Sequence, residues 1–286
     1  MARTPITAVL ALVLTFAVGA GGARAVTATP ARAAPLCTVP GTGKPLDSLW
    51  RPDTRAATAY ARARGGDIAF AVRTAHRFYG FRPDHVVPSA SVVKAMLMVA
   101  YLDLPSVRSR ALNGFDFSLL IPMITQSDNT AATTVRNIVG NGALRALAAR
   151  AYMTNFATNP IWGLTQVTAR DQTKLFLHID DFVAPLHRWY ALHLLASIVP
   201  SERWGVGQVQ PKGWKLYFKG GWGLGTGAVD HQVALLIRGC ARVSVAVMTL
   251  NDGTHAYGKE TLRGMFARLL RGLPSGASRR RRPVHV

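Results

Sequence analysis

Residues 89–104, SASVVKAMLMVAYLDL, read as a buried helix whose entrance carries a serine and, three residues on, a lysine. Val92, Val93, Ala95, Met96, Leu97, Val99 and Ala100 follow with no Gly or Pro before Pro105. Residues three apart share a helix face, so the Ser91 hydroxyl and the Lys94 amine can meet one turn apart. An unpaired ammonium is costly on an apolar helix, and the desolvation that makes it so also lowers its pKa. A lysine held that way can serve as base for a serine nucleophile. The chain has seven lysines among its 34 Lys and Arg residues, and only Lys94 has a serine three positions earlier.

Working outward, the 286 residues suffice for one large domain or two interleaved lobes. Before the Ser91 helix, 53–64 is a helix candidate stopped by Gly65-Gly66, and 68–73 with 77–81 reads as a β-hairpin. After it, helical patterns cover 115–125, 130–139, 143–150, 166–179 and 185–198, with an irregular stretch over 152–165. The period then changes: 216–220, 232–238 and 243–250 read as strands and 256–271 as a closing helix. Only helices separate the strands at the two ends, so these should join in one sheet. The expected fold is α+β, an antiparallel sheet flanked by helices with an inserted all-helical lobe. The sheet lobe would take 53–90 and 204–272, and the helical lobe 91–203. Residues 34–52 read as an irregular N-terminal segment and 273–286 as a basic, disordered tail.

Arg3, the apolar run 6–20 and the small-residue sites at Ala23-Arg24-Ala25 and Ala31-Arg32-Ala33 read as a signal peptide and leader over 1–33. Cleavage after Ala25 or after Ala33 is expected, with the product secreted or held in the cell envelope. The apolar run is too short to span a bilayer as a helix, which takes roughly 20 residues. Two cysteines, Cys37 and Cys240, in an exported chain fit one disulfide or two unpaired thiols. The formal charge of +20 suits weak attachment to anionic cell-envelope polymers. No aromatic-interleaved basic motif points to specific nucleic-acid binding. The eight histidines show no metal-ligand spacing, so no metal and no cofactor are expected, and the protein is expected to be a monomer.

Three motifs stand in one order: Ser91-x-x-Lys94, Ser127-Asp128-Asn129 and Lys219-Gly220-Gly221. Their order resembles that of the serine β-lactamase and DD-peptidase superfamily, and within it the class A β-lactamase-like serine hydrolases, over about 53–271. The resemblance implies Ser91 as nucleophile, Lys94 as its base and Ser127 as the hydroxyl that relays a proton to a leaving nitrogen. Asn129 would hold a substrate amide, Asp128 would shape its loop, and Lys219 would sit near a substrate carboxylate. Gly221 would let the substrate lie against the strand, and the Trp222 N–H would join that of Ser91 in an oxyanion hole. Implied substrates are β-lactams or D-alanyl peptides of the cell wall. Alternatives are a slow-releasing penicillin-binding protein or esterase, and a non-catalytic cell-envelope binding protein.

Two departures from the family pattern stand out. Gly220 replaces the threonine or serine whose hydroxyl contacts the substrate carboxylate. The loop 152–165, where relatives carry the glutamate that activates the deacylating water, contains neither Asp nor Glu. The chain has only two glutamates, Glu202 and Glu260, and the nearest acid, Asp171, falls in the next predicted helix. Trp162 and Trp204, each followed by glycine, read as cleft-lining or lobe-packing residues.

Overall fold

In the computed structural model, which describes residues 37–275 apart from 224 and 226, strands from both ends of the chain join in one antiparallel sheet. Its order is β2 (Phe78–Phe81), β1 (Asp67–Arg73), β7 (Ala241–Leu250), β6 (Val229–Arg238) and β5 (Lys215–Gly223). β6 and β7 lie inside the sheet, and nearly all their residues are buried. Strands β5, β6 and β7 run past the predicted 216–220, 232–238 and 243–250. Ladder pairing holds weak strand formers such as Gly221 and Gly223 opposite His231 and Val229.

Helices cover both faces. On one lie α2 (Thr54–Ala63) and α8 (His255–Leu269), and on the other α6 (Ala169–Leu177). Arg73 Nε donates to Thr173 Oγ1 (3.4 Å) and Arg242 Nη1 to the Leu177 carbonyl (3.1 Å), tying α6 to the sheet although it falls within 91–203. The predicted helix over 166–179 starts late. Gln166–Val167 instead forms β4, paired with β3 (Val87–Pro88), and the Thr168 hydroxyl caps α6 by accepting from the Asp171 N–H. A single helical turn, α1 (Leu46–Leu49), interrupts the segment expected to be irregular.

The helical lobe is built on α3 (Val93–Leu102), all ten residues of which are buried. A helix apolar all round is stable only when neighbours enclose it. These are α4 (Gly114–Thr125) and α5 (Asn129–Arg150), with α7 (Arg188–Ala196) behind. The helices expected over 130–139 and 143–150 meet at Gly140, whose φ of 69° kinks α5 there. Among the fully buried side chains, Lys94 and Lys219 rank in size with Phe70, Phe176, Phe218 and Phe266. Each such phenylalanine contributes about 2–3 kcal/mol by leaving water, whereas the two lysines oppose folding until their ammonium groups find partners.

Cys37 and Cys240 form a disulfide with Cα atoms 5.7 Å apart, joining residues 203 positions apart. Because a crosslink of such long span restricts the unfolded chain strongly, the Cys37→Ser/Cys240→Ser protein should lose about 2–5 kcal/mol. Urea unfolding of both forms measures this, and equal midpoints would refute it. No helix among the described residues is long and apolar enough to cross a membrane. The expected signal segment 1–33 and the tail beyond Ser275 lie outside the described residues.

Candidate active site

Ser91 occupies a 3-10 turn, Ala90–Val92, that feeds α3. Ala90 (φ 43°) beside it and Ser127 (φ 58°) across the cleft are held in the left-handed region. That conformation costs a non-glycine residue about 1–2 kcal/mol, so the surroundings must enforce it. The Ser89 N–H donates to the Thr165 carbonyl (2.7 Å), and His231 Nε2 donates to the Pro88 carbonyl (2.8 Å). His231 Nδ1 accepts the Thr249 N–H (3.0 Å). Both bonds together require a neutral ring, and burial pushes the His231 pKa down to about 4. The segment before Ser91 is thereby clamped to the sheet.

From the other side comes β5. A Cβ on Gly221 would lie 2.6 Å from the Ser91 nitrogen and 2.8 Å from that of Val92, so only glycine lets the strand approach the Ser91 amide. Trp222 follows, 48% exposed, with its indole stacked on the His255 ring at 4.3 Å between centroids. Gly220 faces the opposite side of the strand, where a Cβ would lie 3.0 Å from the buried Trp204 indole. The missing hydroxyl thus coincides with a tryptophan packed behind the strand.

The lysines converge on Ser127. Lys94 Nζ donates to the Ser127 carbonyl and to Asn129 Oδ1 (2.7 Å), and lies 3.3 Å from Ser127 Oγ. Lys219 Nζ donates to the same Oγ (2.9 Å) and to the Gly220 carbonyl (2.9 Å). Burial, and next the charge of Lys219, bring the Lys94 pKa down to about 7, against the opposing carboxylates of Asp128 and Glu202. Burial brings Lys219 down to about 8, again against Glu202. A neutral Lys94 has two N–H groups and one lone pair. The Ser127 carbonyl and Asn129 take the N–H groups, which leaves the lone pair for a hydroxyl proton. Ser127 Oγ, accepting from Lys219 and adjoining Lys94, can pass a proton on.

Among the described residues no hydrogen bond joins Ser91 Oγ to Lys94 Nζ; the amine is turned toward the 127–129 loop. Asn129, its Oδ1 taken by Lys94, lines the cleft. Asp128 caps α5 by accepting from the Ala131 N–H (2.7 Å). Ser91, Asn129 and Trp222 line a cleft of about 370 Å3 together with Ile161 and Trp162, and Lys94, Ser127, Lys219 and Gly221 adjoin them through the contacts just described.

Trp162 lies over Lys94, with Nζ 4.9 Å from its ring centroid, and its Nε1–H donates to Thr133 Oγ1 (3.1 Å). An aromatic face thus stands in the loop where the resemblance led to the expectation of a glutamate. Asp171 supplies no substitute: its carboxylate accepts from the Thr154 and Asn155 N–H groups and from Lys174, pinning the start of the loop. Sequence reasoning singled out Trp162 and Trp204 but not His231, for which the chain offers no local signal. No group of three or more potential metal ligands occurs among the described residues.

The sequence profile described as the Beta-lactamase enzyme family matches residues 118–271. Among solved structures, a beta-lactamase from Sphaerobacter thermophilus is similar at 19% identity and a TM-score of 0.67, covering 78% of this chain and 98% of that one. A beta-lactamase from Xanthomonas campestris aligns at 14% identity and 0.65, over 77% and 97% of the two chains. PBP-A aligns at 18% identity and 0.62, over 81% and 97%. These likenesses establish the fold. No curated protein matches the sequence significantly.

Proposed function

The chain belongs to the beta-lactamase enzyme family, and from that premise we propose an exported serine hydrolase whose Ser91 is acylated by β-lactam or D-alanyl-peptide carbonyls and released slowly. The observation that carries this reading is the placement of Lys94, buried between Ser127 and Asn129 and covered by Trp162. In the first half-reaction Ser91 Oγ bonds to the substrate carbonyl carbon and its proton passes to Lys94. Lys94 needs only a side-chain rotation within its turn for this, since residues three apart share a face. The oxyanion faces the N–H groups of Ser91 and Trp222. Ser127 then hands a proton to the departing nitrogen, and Lys219 holds the substrate's carboxylate.

Release requires a second base to activate water, and the loop provides none. Lys94 remains as the acceptor for that step, with the Trp162 ring over its amine and no carboxylate in the loop to assist it. The slow-releasing alternative is favoured for this reason. Export is supported by the Cys37–Cys240 disulfide and the N-terminal signal pattern.

The intact mass of the protein, followed after mixing with benzylpenicillin, tests the reading. A lasting adduct on Ser91 is expected. A folded protein that forms none would overturn the proposal, and a short-lived adduct with loss of free drug would overturn slow release alone. Trp162→Glu should shorten the adduct lifetime at least tenfold, a modest share of the 10²–10⁴ a positioned general base supplies; an unchanged lifetime counts against the assignment of the loop.

Acylation should follow a bell-shaped pH profile. Lys94 must be unprotonated to accept a proton, so the rate rises through about pH 7. Lys219 must be protonated to hold a carboxylate, so it falls through about pH 8. A rate still climbing at pH 10 would exclude these roles.

A further inference from the structure

Behind the Lys219–Gly221 strand lies a second cavity of about 610 Å3, set between the 200–208 turns and the outer face of α8. Its walls include Arg203, Trp204, Gln208, Lys259, Glu260 and Arg263. Three cations thus face a single carboxylate. Glu260 is bound to Arg263 in a two-pronged ion pair (2.7 and 2.9 Å). Lys259, one turn before Arg263 on the same helix face, has neither a salt bridge nor a hydrogen-bond partner for its side chain among the described residues. Its ammonium opposes protonation of Asp230 and of His255. Arg203 donates to the Ala196 carbonyl (3.2 Å) and, at 3.5 Å, to Gln210, which holds its guanidinium in place without neutralising it.

A concave site with excess positive charge, an unpaired lysine and neutral hydrogen-bonding groups such as Gln208 and Ser201 suits an anion with several charges along its length. We propose that this cavity binds a chain bearing repeated anionic groups, phosphate or carboxylate. Trp204, which lines it, packs against Gly220, and no residue lines both this cavity and the catalytic cleft. The two cavities have separate linings, so binding here and Ser91 acylation are separate claims and either reading can fail without the other. It gives a definite location to the polyanion attachment that a net charge of +20 only suggests.

Calorimetric titration of the full chain with inorganic tripolyphosphate and with oligogalacturonate tests the site, and the tighter binder identifies the phosphate or carboxylate source. Lys259→Glu should weaken that binding at least tenfold while leaving the rate of benzylpenicillin adduct formation unchanged. As a check that needs no variant, saturating probe should protect Lys259 of the wild-type protein from an amine-reactive reagent read by mass spectrometry. Equal affinity in the Lys259→Glu protein, or no protection of Lys259, would overturn the proposal, since binding would then reside elsewhere on the basic surface. A single-stranded oligonucleotide that binds more tightly than both probes and is lost with the same substitution would replace it with a nucleic-acid site.

Discussion

Ser91→Ala should abolish the benzylpenicillin adduct while leaving the protein folded. Ser91 Oγ takes part in no hydrogen bond among the described residues, so its loss leaves no buried partner unpaired and should change stability by no more than about 0.5 kcal/mol. Everything the fold invests at this position concerns the backbone: the approach of Gly221 to the Ser91 nitrogen, the clamp from His231 to Pro88, and the strained Ala90. Alanine keeps all three. Intact-mass measurement beside a thermal melt separates the outcomes. An adduct that survives in the alanine protein would place the nucleophile elsewhere and end the mechanism.

Lys94→Met should slow acylation by about three orders of magnitude, within the range that a positioned general base contributes. That corresponds to about 4 kcal/mol of lost transition-state stabilisation. Lys94→Arg should be no better, because a guanidinium does not give up its proton and cannot act as a base. Methionine also leaves the Ser127 carbonyl and Asn129 Oδ1 without their donor, at about 1–3 kcal/mol each, but removes a desolvated ammonium. Stopped-flow acylation at pH 7.5, together with the melting temperature, distinguishes lost chemistry from lost fold. A rate within tenfold of wild type in either variant would assign the proton transfer to another group.

Much of the fold was legible because its signals are local. The largely apolar run after Ser91, the helix stop at Gly65-Gly66, the break at Gly140 and the change of period after Trp204 each depend on neighbours a few residues away. The errors arose where a distant partner decided. Residues 166 and 167 look helical by themselves, yet Val87 and Pro88 recruit them into a ladder. Gly221 to Gly223 have weak strand propensity, yet β6 holds them in register.

By itself the sequence determined the identity and order of the residues proposed to react, Ser91 and Lys94 three positions apart where α3 begins, Ser127 and Asn129 where α5 begins, and Lys219 on β5. It also determined that loop 152–165 carries no carboxylate. Tertiary structure alone decided what surrounds those groups. It turned Lys94 toward Ser127 and beneath Trp162, set Trp204 behind Gly220, and brought His231 to the Pro88 carbonyl across 143 residues. The physical reason is that reactivity here depends on desolvation and on the distance between charges, both created by contacts between segments far apart in the chain. A side chain's identity is written at its position, whereas its pKa is set by whatever the fold packs against it.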